Sequence, residues 1–113
     1  IGDNAFSNDG SLESVSLPNA KTIGESAFNF CTNLESVSVP AAETIGECAF
    51  NCCTSLESVE LGTTAESKLS LGTDIFNEVT TTDVTLTTGK VNEDYVSDNT
   101  FNGYEFKKVI VTE

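Results

Sequence analysis

Carboxylates are the side chains in this sequence with the most obvious capacity to bind an ion or move a proton. The chain has 18 acidic and 5 basic residues, a formal net charge of −13. One acidic set recurs in the context Leu-Glu-Ser, at Glu13, Glu35 and Glu57. A second set precedes a recurring phenylalanine, at Asp3, Glu25 and Glu47. Like charges placed side by side destabilise a sheet, and this repulsion could attract a cation or a basic partner. The alternative is a solvated acidic surface, which we expect because no calcium-loop pattern occurs.

Four cysteines could in principle bind a metal or form a disulfide. They are Cys31, Cys48, Cys52 and Cys53. Zinc requires four ligands in tetrahedral geometry, and this spacing matches no familiar zinc signature. A Cys31–Cys53 bridge needs Cα atoms within about 7 Å, which helical segments on the wide side of a curved stack rarely allow. We therefore favour buried free thiols that behave as small apolar residues, with no metal and no cofactor.

The composition argues against an enzyme and against two classes of partner. The chain has no histidine, so its cysteines lack the usual base that activates a thiol nucleophile. Paired carboxylates can hydrolyse glycosides, but no motif singles out one pair among so many acidic residues. We predict no catalytic residue. The negative charge also disfavours nucleic acid and direct insertion into anionic membranes.

The spacing of apolar residues shows how these groups must be positioned. Ile23 recurs as Ile45 and Phe28 as Phe50, a period of 22 residues. A fixed period between 20 and 29 residues with leucine-type positions indicates a leucine-rich-repeat solenoid. At 113 residues the chain fits a single domain, 1–113. The repeats are regular over 1–61, and we interpret 62–113 as irregular, capping-type repeats.

Five coils can be aligned on a recurring phenylalanine. The positions are Phe6, Phe28, Phe50, Phe76 and Phe101. Each is followed by an alternating aliphatic pair, at Val15/Leu17, Val37/Val39, Val59/Leu61, Val84/Leu86 and Val109/Val111. Alternation with β-branched residues predicts a short strand in every coil, and such strands must stack in parallel. Acidic and hydroxyl residues before the phenylalanine predict a short helical turn on the opposite side, capped in the later coils by Thr73-Asp74 and Ser97-Asp98.

Side chains opposite the core should line the concave side of the sheet. Alternation predicts Ser14, Ser16, Ser36, Ser38, Ser58 and Glu60, then Asp83, Thr85, Lys108 and Ile110. Together with Glu13, Glu35 and Glu57, the first six are our candidate binding residues. Small hydroxyls provide a flat hydrogen-bonding surface suited to a peptide or glycan, and solenoids bind through such faces. The alternative is that short polar residues simply cover an exposed sheet face.

The run Ile-Gly-x-x-Ala-Phe-x-x-Cys-x-x-Leu-x-x-Val at 23–37 and 45–59 resembles the BspA-like leucine-rich repeat family. The resemblance implies a curved solenoid from a secreted or surface-anchored, often bacterial, protein that adheres to host matrix proteins or other cells. On this basis we expect an extracellular or cell-surface interaction module that binds a protein or glycan. The alternative is a structural spacer or capping segment without a ligand. Because Ile1 already lies inside a repeat, we expect a fragment whose signal and anchor lie outside this sequence.

Overall fold

Short strands connected by turns account for most of the regular structure. The computed structural model describes residues 1–113. In chain order the strands are β1 (Ser14–Ser16), β2 (Thr22–Ile23), β3 (Ser36–Val39), β4 (Thr44–Ile45), β5 (Ser58–Leu61), β6 (Ser70–Leu71), β7 (Thr85–Gly89), β8 (Val96–Ser97), β9 (Thr100–Phe101), β10 (Tyr104–Glu105) and β11 (Lys108–Thr112). Two 3₁₀ helices, Thr81–Asp83 and Lys90–Tyr95, flank β7.

The strands form a solenoid with two parallel sheets. The larger sheet has five strands in the order β1-β3-β5-β7-β11, one from each successive coil. A second sheet, β2-β4-β6, runs beside it, and every pairing within these two sheets is parallel. Five stacked strands correspond to about four turns of chain. The predicted leucine-rich-repeat solenoid with a parallel sheet is confirmed.

The interior is built from columns of identical or similar side chains. The 22-residue repeat places Ile23 and Ile45, Ala27 and Ala49, Phe28 and Phe50, Leu34 and Leu56, and Val37 and Val59 in one continuous cluster of 22 buried residues. The phenylalanine rings of the first four coils stack nearly parallel, with centroids 5.4 to 5.7 Å apart. Each ring therefore contacts the equivalent ring of the neighbouring coil, as expected for repeats that bury surface only against their neighbours.

The segments predicted as helical turns are successive β-turns. In the second coil, Ala27 N donates to Gly24 O and Asn29 N donates to Ser26 O, each bond joining residues three apart. Ser26 and Phe30 have positive φ, and so do their equivalents in other coils: Asn4, Asn8, Cys48, Cys52, Asp74 and Glu78. A left-handed residue at the third turn position reverses the chain without starting a helix. Asp74 and Asp98 are therefore left-handed turn residues, and the prediction that they cap helices is wrong.

In the fourth coil the observed register differs from the predicted one. Leu86 pairs with Val59, and Thr88 with Leu61, so the aliphatic pair assigned to Val84 and Leu86 is displaced by two residues. The 3₁₀ helix Thr81–Asp83 takes up the additional residues before the strand. Asp83 therefore lies in this helix, and the prediction that it lines the concave side of the sheet is wrong.

The fifth coil leaves the phenylalanine stack. Strands β8, β9 and β10 form a small antiparallel sheet. Its Tyr104 ring and the following Phe106 ring pack edge-on against Phe76, at 5.6 and 5.5 Å. Phe101, predicted to continue the stack, is buried against Tyr95 instead. The hairpin thus replaces a fifth regular turn.

A buried amide side chain holds residues 62–69, the connection from β5 to β6, which is longer than the connection from β3 to β4. Asn92 is fully buried, and its Nδ2 donates to Gly62 O at 3.0 Å and to Ser67 O at 2.9 Å. Its Oδ1 accepts a bond from Leu69 N at 2.8 Å. Buried backbone groups of an irregular segment need such partners because they have no sheet ladder.

Candidate binding surface

The side of the larger sheet that faces away from the core carries two columns of short polar side chains, which we call the hydroxyl face. One column consists of Ser14, Ser36, Ser58 and Thr85, and the other of Ser16, Ser38, Glu60 and Thr87. Strand β11 continues them with Lys108 and Ile110. Neighbouring strands lie about 4.8 Å apart, so each column is an evenly spaced row of hydrogen-bonding groups. All six predicted serine and glutamate positions of the sheet lie on this face.

A shallow depression lies over the centre of the hydroxyl face. Its volume is about 430 Å³, and side chains from both columns line it together with backbone near Val15, Val37 and Val59. Thr87 also lines it. The sequence reasoning missed Thr87 because the fourth-coil register was displaced, and a threonine run gives no periodic signal that would fix that register.

Glu60 is the one charged residue lining the depression. The Ser38 hydroxyl donates to its Oε1 at 2.5 Å. A hydrogen bond to a carboxylate is stronger than one between neutral groups and fixes the position of the acceptor. The depression therefore offers one oriented carboxylate among neutral hydroxyls, which both donate and accept hydrogen bonds. This set can bind hydroxyl, amide or ammonium groups.

The glutamates predicted as binding residues occupy a different place from the serines. Glu13, Glu35 and Glu57 are exposed, precede their strands, and do not line the depression. Their backbones extend the strand ladder, since Glu35 N donates to Glu13 O at 2.7 Å and Glu57 N donates to Glu35 O at 2.8 Å. They form an acidic row beside the hydroxyl face. In the structure no group of three or more His, Cys, Asp or Glu side chains converges as a metal site would require.

The cysteines are free thiols in two environments. Cys31 and Cys53 are buried, and their Sγ atoms donate to Phe6 O at 3.1 Å and Phe28 O at 3.0 Å. Burial raises the pKa of the Cys53 thiol to about 12 and also raises the pKa of Cys31. Both thiols therefore stay protonated near neutral pH, whereas metal ligands and nucleophiles are thiolates. Cys48 and Cys52 are partly exposed, unlike the fully buried set that we expected.

One carboxylate occupies the cysteine slot of the first coil. Asp9 Oδ1 accepts bonds from the Ser11 hydroxyl at 2.6 Å and from the Ser11 amide at 3.0 Å. These bonds lower the pKa of Asp9 because they stabilise the charged form. Asp9 is thus a local turn element.

Comparison with known proteins gives one match. The family model described as BspA type leucine rich repeat region matches residues 1–113 in six copies. Neither the comparison with curated proteins nor that with solved structures gave a match. The chain contains no helix with the length and hydropathy needed to cross a lipid bilayer.

Proposed function

Because the chain belongs to the BspA-type leucine-rich repeat family, we propose that it is a non-catalytic recognition module of an extracellular or cell-surface protein. Its hydroxyl face binds a protein or glycan partner. The observation that carries this proposal is the pair of polar columns that continues across β1, β3, β5 and β7 over a shallow depression. Solenoids use such extended faces to bind partners.

The chemistry of the face favours a ligand rich in hydrogen-bonding groups. The strands beneath it are held from behind by the buried columns, so the hydroxyls are presented on a rigid support. A glycan or an exposed peptide backbone offers donors and acceptors at similar spacing, and serine and threonine hydroxyls can serve either role. The acidic row at Glu13, Glu35 and Glu57 adds attraction for a partner with positive charge.

A structural spacer is the second candidate function. The residues that line the depression include no aromatic and no arginine side chain. Interfaces usually derive most of their binding energy from tryptophan, tyrosine and arginine. This composition favours a segment that presents neighbouring parts of a larger surface protein without a ligand of its own.

A binding screen with matched variants separates the two functions. The purified protein is tested on immobilised glycans and on matrix proteins such as collagen, fibronectin and laminin. In Ser36→Trp a bulky ring projects into the centre of the depression. Thr44→Trp is the control, since Thr44 is an exposed residue of the central strand in the second sheet. We expect a ligand that binds the wild type and Thr44→Trp alike but loses at least about tenfold in affinity with Ser36→Trp.

Two outcomes would contradict the proposal. If no ligand binds this protein while a longer chain containing it binds, the spacer function is supported. If both tryptophan variants lose the ligand equally, binding lies elsewhere or depends on overall folding. Circular dichroism of both variants shows whether they are folded.

A further inference from the structure

The tip of the hairpin formed by β9 and β10 places an asparagine directly before a glycine. Asn102 and Gly103 form a two-residue turn, and both have positive φ, 51° and 86°. A two-residue turn with positive φ at both positions is a type I′ turn, for which Asn-Gly is a preferred sequence. This is the only Asn-Gly pair in the chain. The residues that build the turn are thus also those in which an asparagine side chain is least shielded from its own backbone.

An asparagine side chain can react with the backbone nitrogen of the residue that follows it. The Gly103 nitrogen would form a bond with Cγ of Asn102, and its proton would leave with the side-chain nitrogen as ammonia. The product is a five-membered cyclic imide. Water then opens one of the two carbon–nitrogen bonds of the imide, which gives either aspartate or isoaspartate. In isoaspartate the main chain runs through Cβ and Cγ. Water is the only co-reactant, and no group is oxidised or reduced.

Both reacting groups are exposed and free of hydrogen bonds. Asn102 and Gly103 are exposed, and the Gly103 N–H donates to no acceptor. The asparagine side chains that do form hydrogen bonds belong to other positions, and the Asn102 carboxamide bonds to no other group. A methyl group built onto Gly103 would meet no atom within 4 Å, so no neighbouring group blocks the approach of the two atoms.

At most other asparagines the attacking nitrogen is already occupied. The residues that follow six of them donate their backbone N–H to a carbonyl: these asparagines are Asn4, Asn8, Asn19, Asn29, Asn33 and Asn51. Asn92 is fully buried. Asn77 and Asn99 are exposed, but they precede a glutamate and a threonine, whose side chains crowd the attacking nitrogen. Asn102 therefore differs from every other asparagine of the chain.

Isoaspartate at this position would lengthen the backbone of the turn by one carbon atom. The turn joins two strands of two residues each, in which Tyr104 pairs with Phe101 and Glu105 with Thr100. The geometry of a two-residue turn sets the register of the strands that it joins. A hairpin this short is not stable by itself, so it depends on its attachment to the rest of the protein.

The hairpin closes the end of the core through two aromatic rings. Tyr104 and Phe106 pack edge-on against Phe76, with centroids 5.6 and 5.5 Å away. Phe76 and Phe106 are each 2% exposed, so a displaced hairpin would expose buried apolar surface to water. Asn102 also faces Asp74 across a cleft of about 420 Å³. A new carboxylate at position 102 would add repulsion between these two sides of the cleft.

We propose that Asn102 is a site of self-modification and that its conversion to isoaspartate releases the hairpin from the core. The exposed turn sets the rate of the reaction, and the packing on Phe76 couples the altered turn to the buried end of the solenoid. The result is a slow, irreversible loosening of one end of the protein. This site is separate from the hydroxyl face, and the proposal does not depend on whether that face binds a ligand.

Peptide mapping of aged protein tests the reaction. The purified protein is incubated at pH 6 and at pH 8, digested, and analysed by mass spectrometry for conversion of each amide to an acid. Asn102 should convert at least about tenfold faster than Asn77 or Asn99, because glycine has no side chain to crowd the attacking nitrogen. Conversion should be faster at pH 8, because the attacking nitrogen must lose its proton. Equal rates at Asn102 and Asn77, or no increase with pH, would overturn the proposal.

Amide hydrogen exchange followed by NMR tests the release of the hairpin. The Phe106 N–H donates to Asn99 O at 2.8 Å and reports on the hairpin, while the Phe50 N–H donates to Ile75 O at 3.0 Å and reports on a distant coil. Anion exchange separates the converted protein by its additional carboxylate. In the isoaspartate form, exchange at Phe106 should be at least about tenfold faster and exchange at Phe50 unchanged. Equal protection of Phe106 in both forms would refute the release.

Two variants separate the backbone change from the charge. Asn102→Gly has no carboxamide, and Gly-Gly is compatible with the type I′ turn, so this variant should show neither conversion nor faster exchange after the same incubation. Asn102→Asp, measured before ageing, carries the charge on a normal backbone. It should raise exchange at Phe106 by less than about twofold, since exposed charges are screened. Faster exchange in aged Asn102→Gly, or an equal effect in fresh Asn102→Asp, would overturn the proposal.

Discussion

Replacing Phe28 by alanine should remove the central support of the aromatic stack. Phe28 is fully buried, and its ring lies between Phe6 and Phe50, with centroids 5.4 and 5.5 Å away. A large-to-small change in a core costs about 3–5 kcal/mol. Each aromatic pair adds roughly 0.5–1.5 kcal/mol beyond the buried area, and this substitution removes two pairs. We therefore expect Phe28→Ala to lower the free energy of unfolding by an amount in the upper half of the range of about 3–5 kcal/mol.

Two other phenylalanines provide matched controls within the same chain. Phe30 lies only two residues away but is 46% exposed, so Phe30→Ala should change the free energy of unfolding by less than about 1 kcal/mol. Phe6 is 38% exposed and contacts one ring of the stack, so Phe6→Ala should fall between the other two. The expected order of destabilisation is Phe28, then Phe6, then Phe30.

Urea denaturation followed by far-UV circular dichroism measures the three changes. Domains of this size are stable by only about 5–15 kcal/mol, so Phe28→Ala could leave too little folded protein to fit a transition. Phe28→Leu, which retains more of the side-chain volume, then supplies a measurable loss of roughly 1–2 kcal/mol. The reasoning is refuted if the alanine variants at 28 and 30 unfold at similar urea concentrations. Equal effects would mean that the stacked column does not carry the stability of the solenoid.

Three further predictions concern a buried amide, a close backbone contact between coils and a buried thiol. Asn92→Ala should lower the free energy of unfolding by about 3 kcal/mol or more, because it leaves several buried backbone groups without partners. Asn77→Ala changes an exposed residue and should be near neutral when both variants are unfolded in urea. Gly46→Ala would place a methyl group 2.6 Å from the Glu25 backbone nitrogen and should lower the melting temperature, whereas Gly2→Ala meets no atom within 4 Å and should leave it unchanged. The pKa of the Cys53 thiol is about 12 in the folded chain and 9.0 in the unfolded chain. Because the unfolded chain loses this proton first, the free energy of unfolding should fall by up to about 1.4 kcal/mol per pH unit as the pH rises between these values. Urea titrations at pH 8 and pH 10 check this dependence, and an equal pH dependence in Cys53→Ala would contradict it.

The 22-residue period was sufficient to predict most of the core. Equivalent residues such as Ile23 and Ile45 must occupy equivalent environments when coils stack, so one inward position implies a whole column. The hydroxyl face of the first three coils follows from the same logic, because residues between two buried strand positions must point the other way. The predictions for Ser36 and Ser38 needed only this alternation.

The predicted helical turns failed because local sequence does not show which backbone bonds are available. Gly24 to Phe30 is compatible with a helix by composition, and Ser26 and Phe30 carry no sign of a left-handed conformation. Stacking decides the outcome, since the amides of these residues find acceptors on the next coil. Bonds between coils therefore offset the strain of positive φ at residues other than glycine.

The repeat in the sequence determined the solenoid, the parallel sheet, the buried columns and the polar face, since periodic burial requires only that equivalent residues lie in register. Where the period is lost, only the tertiary structure decided the arrangement. The register of Thr85 and Thr87, the burial of Asn92 and the packing of Phe106 on Phe76 depend on contacts between residues far apart in the chain. The backbone amides of Asp74, Phe76 and Glu78, which donate no hydrogen bond within the protein, belong to the same group. They exist because a distant hairpin closes the core without completing the ladder, and no local pattern encodes the absence of a partner.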